Sequence, residues 1–181
     1  MGGVMLQPGD FAPHFEVQDV LGEFIRLQDF AGKKLLLMFH RYAACPFCNL
    51  RTEQINQYAP LWQSKGLGMI AFFQSSTTSI LKHIGNRPPL YPVIGDPERV
   101  IYKQYYVESD SKKAAATLPR KTIAGVRAHL QNKIKVTDTG DEALIPAEFL
   151  INPDLTIHTA YYGNNIADHL PIKQIIEFIH S

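Results

Sequence analysis

Apolar positions along the chain fall into short blocks of two periods. Leu35-Leu36-Leu37-Met38-Phe39 is a continuous apolar run, the pattern of a strand buried on both faces inside a parallel sheet. Gly68-Met69-Ile70-Ala71-Phe72-Phe73 predicts a second such strand. Between them, Leu50, Ile55, Tyr58, Leu61 and Trp62 recur at roughly helical spacing over 49–65, which predicts a helix with one partly apolar face. Strand-like alternation on either side of Val20-Leu21-Gly22 predicts a hairpin over 15–27. Ser76-Thr77-Thr78-Ser79 caps a short helix through Ile84. Tyr91-Pro92-Val93-Ile94 reads as a short strand, and Pro97–Tyr106 as a helix opening at Asp96-Pro97. Residues 148–152 and 155–162 flank a turn at Pro153-Asp154, giving a late antiparallel hairpin. Pro171 opens a C-terminal helix with Ile172, Ile175, Ile176 and Ile179 on its buried face.

The stretch from Glu108 to Asp138 differs from the rest. Seven basic residues (Lys112, Lys113, Arg120, Lys121, Arg127, Lys133, Lys135) outnumber three acidic ones (Glu108, Asp110, Asp138). It reads as an insertion over about 107–143 with a solvated basic face and a helix over 119–131. A lid or partner-docking segment is the alternative.

At 181 residues, with 45% hydrophobic and 19% charged residues, the chain suits one soluble domain, 1–181. A formal charge of +1 offers no electrostatic case for nucleic acid or an anionic membrane surface. An apolar run of five residues is too short to cross a bilayer. The N-terminus lacks the basic flank and apolar core of a secretory signal, and Leu6 stands where a myristoylation signal wants Ser or Thr. These features predict a cytoplasmic location.

The chain has two cysteines, Cys45 and Cys48. Random placement would set two cysteines three apart in about 1% of arrangements. So small a loop is a poor structural staple. In a reducing compartment the pair is more often redox-active or metal-binding. A closed zinc site needs four ligands, and the seven histidines show no matching spacing. Two scattered histidines completing a metal site, or two inert buried thiols, stay as alternatives. The setting favours redox chemistry. A buried strand, a short link (Arg41-Tyr42-Ala43-Ala44), Cys-Pro-Phe-Cys and a helix follow one another, with Pro46 suited to the first helical turn. A helix N-terminus favours a thiolate. Cys45, at the exposed end, is then the nucleophile, and Cys48 the resolving thiol that leaves a Cys45–Cys48 disulfide. Arg41 and Arg51 either add positive potential or are solvated surface charges.

This order of elements resembles the thioredoxin fold, and most closely its peroxiredoxin-like branch, the alkyl hydroperoxide reductase C / thiol-specific antioxidant superfamily. The residues that carry the resemblance are Gly9-Asp10-Phe11-Ala12-Pro13-His14-Phe15, Leu27-Gln28-Asp29-Phe30-Ala31-Gly32-Lys33 and the strand leading to Cys45, and Phe149-Leu150-Ile151-Asn152-Pro153-Asp154. It implies an α/β fold with a central mixed sheet flanked by helices, an N-terminal hairpin and an insertion before the late hairpin. The departures are at the Pro-x-x-x-Thr-x-x-Cys of that branch, where Met38 and Tyr42 replace Pro and Thr, and at a second arginine position, which holds Pro146. Ile145-Pro146 instead resembles the thioredoxin cis-proline that faces the cysteine pair. A trans proline opening a strand is the alternative.

The resemblance and the pair together predict a thiol–disulfide oxidoreductase that needs no cofactor beyond its own disulfide. A thiol-dependent peroxidase with Cys45 peroxidatic is the rival, as in relatives of selenoprotein L that carry a similarly spaced pair. A non-catalytic module using the cysteines as metal ligands is the third reading. Pro146, Tyr42 and Phe47 are the expected substrate-groove residues. Arg41, Arg51 and Arg120 are the candidates for stabilising the thiolate. The expected partners are a thiol or disulfide substrate, protein or small molecule, or a hydroperoxide. Thioredoxin or glutathione would serve as reductant, and a homodimer is one assembly this reading allows.

Overall fold

The computed structural model describes residues 4–84, 88–115 and 140–181. An N-terminal hairpin, β1 (Glu16–Gln18) and β2 (Phe24–Arg26), forms a small sheet of its own. After a turn of 3-10 helix come β3 (Lys34–Phe39), α1 (Pro46–Ser64), β4 (Leu67–Phe73), α2 (Thr77–Ile84), β5 (Val93–Gly95), α3 (Val100–Gln104) and α4 (Ser111–Ala114). The chain ends with β6 (Ala147–Ile151), β7 (Ile157–Tyr162) and α5 (Ile172–His180). The main sheet runs β5-β4-β3-β6-β7. β3 is parallel to β4, and β4 to β5, while β6 runs antiparallel to both β3 and β7. This is the mixed, helix-flanked α/β sheet that the sequence predicts.

The continuous apolar run of β3 has a simple cause. Leu36 and Met38 face the α1 side, where they pack with Ile55, Trp62, Met69, Leu150 and Phe178. Leu35, Leu37 and Phe39 face the other side, among Phe15, Ile70, Phe72, Tyr102, Tyr105 and Phe149. A central strand covered on both faces leaves no position for a polar residue.

Three details depart from the pattern reading. On α1 the buried positions are Cys48, Arg51, Ile55, Ala59 and Trp62, whereas Leu61 points outward. On α5 the seam is Ile175 and Phe178, and Ile176 is partly exposed. α3 starts at Val100 rather than Pro97, because Arg99 stands at its N-cap in the left-handed region (φ 56°). The Asp96 carboxylate caps the helix, accepting from the N–H groups of Val100 and Ile101 at 2.9 and 2.8 Å. The ends of the basic insertion meet in an antiparallel bridge between Ser109 and Leu144. Its helix over 119–131 and Arg120 lie outside the described residues. No helix among the described residues is long and apolar enough to cross a membrane.

One buried ion pair ties α1 to the sheet. Arg51 donates to both oxygens of Glu148 on β6, Nη2 at 2.6 Å and Nε at 2.8 Å. Leu170 N–H and His169 complete the carboxylate's shell. Burial pushes the Glu148 carboxyl up, but the charge and hydrogen bonds of Arg51 and His169 outweigh it and bring it from 4.5 to about 2. A carboxyl lowered on folding stabilises the fold fully above its unfolded value and loses that contribution as pH falls toward its folded one. Acid titration of wild type should therefore show a loss of stability between about pH 4.5 and 2 that Glu148→Gln lacks. Arg51→Met, which strands the carboxylate, should lower the urea-unfolding free energy by about 3–5 kcal/mol, and a double replacement with apolar residues should recover much of it.

Candidate active site

The site is built where β3 ends. His40 N–H continues the ladder to Phe72 O at 2.9 Å, and Gln74 N–H then closes on Arg41 O at 2.9 Å. A tight turn follows, with Cys45 N–H on Tyr42 O at 2.9 Å and Ala43 N–H on Ser75 Oγ at 3.0 Å. Cys45 is the N-cap of α1 and Pro46 occupies its first turn, where a missing N–H breaks no helical bond. Asn49 N–H makes the first helical bond, to Cys45 O at 3.0 Å, and its side chain braces Ala43 O at 3.1 Å. Cys45 thus stands at the mouth of a 19-residue helix and Cys48 one turn inside it.

Both sulfurs belong to free thiols and both residues are 0% exposed. The expected exposure of Cys45 is thereby corrected. The strand end, the first turn of α1 and the segment 141–145 close over it. Both cysteines sit in the apolar cluster that holds Leu36, Met38, Tyr42 and Ala44, and Arg41 brings polar groups to the two sulfurs. Arg41, itself buried, lies with Nη1 at 3.5 Å from Cys45 Sγ, and its main-chain N–H donates to Cys48 Sγ at 3.3 Å. The guanidinium also donates to Leu144 O through Nε at 3.0 Å and to Glu142 O through Nη2. Burial raises the Cys45 thiol, but hydrogen bonds from the Cys48 thiol and main chain, together with the charge of Arg41, outweigh that and bring it down to about 6. Cys48 goes the other way: burial and its hydrogen bond to the Cys45 sulfur raise it. One sulfur of the pair ionises readily and the other keeps its proton.

The other predicted site residues divide. Tyr42 is buried beneath the Arg41 guanidinium, whose carbon lies 5.1 Å from the ring centroid. Tyr42 and Phe47 line a groove of about 480 Å³ beside the start of α1, with Arg41, Pro46, Ala115, Glu142 and Ile166 among its other walls and neither cysteine in its lining. Pro146 does not line it. No peptide bond among the described residues is cis, so the cis reading of Ile145-Pro146 is corrected. Pro146 is a buried trans residue at the threshold of β6, where its carbonyl accepts from Gly163 N–H at 3.0 Å and no donor is needed of it. Arg51 is neither solvated nor turned to Cys45, because Glu148 holds it. Among the described residues no third His, Cys, Asp or Glu joins the cysteine pair as a metal-ligand group.

Sequence reasoning missed Glu148, although a lone acid inside the run Ala147–Ile151 is a usable sign of a buried partner. It also missed Glu142 and Leu144, which act through main-chain carbonyls and leave no sign in their side chains.

The description AhpC/TSA family matches residues 8–160. The chain belongs to the AhpC/TSA family. Among its relatives, the thiol-disulfide oxidoreductase ResA of Bacillus cereus is 32% identical over 103 residues, covering 56% of this chain and 59% of ResA. The chain spans 65% or less of the length of the curated relatives compared. Two solved structures share the fold. Peroxidoxin BcpB from Mycobacterium tuberculosis has a TM-score of 0.68 at 14% identity, with 97% of each chain covered. A yeast mitochondrial 1-Cys peroxiredoxin, studied for thiol resolution via glutathione/thioredoxin systems, has a TM-score of 0.64 at 16% identity, covering 97% of this chain and 76% of that one. The names among these similar proteins thus include both a thiol-disulfide oxidoreductase and peroxiredoxins.

The geometry makes a direct forecast for thiol reactivity. Iodoacetamide should label Cys45 with a half-maximal rate near pH 6, followed by mass spectrometry, while Cys48 stays unlabelled. Arg41→Met should move that midpoint up by about one unit. An unchanged midpoint would show that the guanidinium does not stabilise the thiolate.

Proposed function

We propose that the protein is a thiol–disulfide oxidoreductase that cycles Cys45 and Cys48 between dithiol and disulfide. The observation that carries this reading is the asymmetry of the pair: a thiolate-prone Cys45 at the helix mouth, hydrogen-bonded by a proton-retaining Cys48 one turn away. The Cys45 thiolate attacks one sulfur of a substrate disulfide, forms a mixed disulfide and releases the other half as a thiolate. Cys48 then gives up its proton and attacks Cys45 Sγ. The second substrate thiolate leaves, and a Cys45–Cys48 disulfide remains. A dithiol donor such as thioredoxin, or two molecules of glutathione, returns the electron pair. The electron pair passes from the two cysteine sulfurs to the substrate and is restored by the donor, so the cycle needs no further cofactor. A reducing compartment such as the cytoplasm suits the resting dithiol. Because both sulfurs are covered, substrate must lie in the groove over Tyr42, Pro46 and Phe47 while its floor parts.

The thiol peroxidase reading draws support from Arg41, since a guanidinium beside a thiolate also suits polarisation of a peroxide bond. Against it, the residues at the family's Pro and Thr positions are Met38, buried within β3, and Tyr42, whose ring lies against Arg41.

Insulin-disulfide reduction driven by a dithiol donor tests the proposal. Cys45→Ser should lose at least about a hundredfold in rate, and Cys48→Ser should accumulate a substrate adduct on Cys45 visible by mass spectrometry. A Cys45→Ser variant as active as wild type would sink the reading. Rapid peroxide turnover with negligible disulfide reduction would hand the assignment to the peroxidase.

A further inference from the structure

The Arg41 side chain is long and free to rotate, so something must fix it against the sulfur. Its other two acceptors, Glu142 O and Leu144 O, belong to one strap, residues 141–145. Main-chain bonds hold the later part of the strap, Asp110 N–H to Ala143 O at 2.9 Å and Ile145 N–H to Glu108 O at 3.1 Å, and Asp141 anchors its start. The Asp141 carboxylate accepts from Arg99 Nη1 at 2.7 Å, from Ser109 Oγ and from Ala143 N–H at 2.9 Å. Its main chain pairs with the Gln74 side chain in both directions, Nε2 to Asp141 O at 2.7 Å and Asp141 N–H to Oε1 at 3.1 Å. Among the described residues Asp141 is the one strap residue whose side chain bonds to other elements. Its neighbour Gly140 has φ +51°, and a Cβ there would lie 3.0 Å from Gln74 Cδ, so a glycine suits the approach to the strap. Arg99 reaches Asp141 from a left-handed conformation at the start of α3, a backbone state of non-glycine residues that surrounding structure must hold.

We propose that Asp141 is a positioning residue for the reactive thiol: by pinning the strap of residues 141–145, it holds Arg41 against Cys45. The chain of contact runs from Arg99 and Ser109 to the Asp141 carboxylate, along the strap to the carbonyls of residues 142 and 144, to the Arg41 guanidinium and so to Cys45 Sγ. When the carboxylate is lost, the start of the strap loosens, the carbonyl of Glu142 beside it loses its fixed place, and the guanidinium is held less firmly against the sulfur. The other titratable groups around Cys45 are Cys48 on α1, Tyr42 in the turn and Glu142 on the strap, and none of them is tied to Asp141 by a side-chain bond. The inference deepens the oxidoreductase reading and rests on Cys45 being its reactive thiol.

The experiment is the pH profile of iodoacetamide labelling at Cys45 in the full chain. It is run for wild type, Asp141→Asn, Arg99→Gln, Arg41→Met and the Asp141→Asn/Arg41→Met double variant, with thermal unfolding as the check on folding. Asp141→Asn and Arg99→Gln should each raise the midpoint by about half a unit, about threefold less thiolate below the midpoint. The double variant should match Arg41→Met alone, because a residue acting through Arg41 has nothing left to position. An unshifted midpoint in Asp141→Asn overturns the proposal, and so does a full shift that persists without Arg41. Arg99→Gln, which leaves the bonds to Ser109 and Ala143, decides the matter if Asp141→Asn fails to fold. A wild-type protein whose Cys45 does not label at all in this range would fail the oxidoreductase reading and take this inference with it. A labelled wild type with unshifted variants would fail the inference alone.

Discussion

A buried guanidinium cannot be left alone, and the site follows from how this one is satisfied. The protein buries two arginines within one helical turn of its cysteines. Arg51 is matched by the carboxylate of Glu148 and is electrically complete. Arg41 is matched by two carbonyl dipoles and a sulfur. Among the described residues, Cys45 is the hydrogen-bonded partner of the Arg41 guanidinium that can carry a full negative charge. An uncompensated charge in the interior is costly, so the same requirement that holds Arg41 in place favours the ionised form of Cys45.

The fold places these groups without special adjustment. The crossover from β3 through α1 to the parallel β4 brings the start of α1 to the carboxyl end of the central strands. Main-chain N–H groups converge there. The antiparallel β6 then carries Glu148 under α1, and the strap that precedes β6 carries its carbonyls over the turn at Arg41. Each half of the sheet contributes one side of the site.

Much of this was legible in the sequence because it rests on local rules. The run Leu35–Phe39 announces a strand covered on both faces, and the prolines at the start of α1 and in the turn at Pro153-Asp154 constrain their own backbone. What was not legible depends on distant pairing. Arg51 looks like any helix-surface charge until β6 is set beneath it. Leu61 and Trp62 look equivalent until the helix is rotated against the sheet, and Ile176 likewise against Ile175. Likeness to other chains points Pro146 at the cysteines, whereas the carbonyl it offers to Gly163 sets it at the threshold of β6. The strap is the extreme case. Its contribution to Cys45 is made by main-chain oxygens, which every residue possesses, so no choice of side chain announces it.

Sealing an ionised sulfur away from water changes what limits it as a reagent. A thiolate open to solvent meets every oxidant at the frequency of diffusion. One beneath a closed surface waits on the opening of that surface, whatever stands outside. Discrimination among oxidants then falls to those that can stay in the groove long enough to meet an opening, and dilute stray oxidants pass by a sulfur that is chemically ready for them.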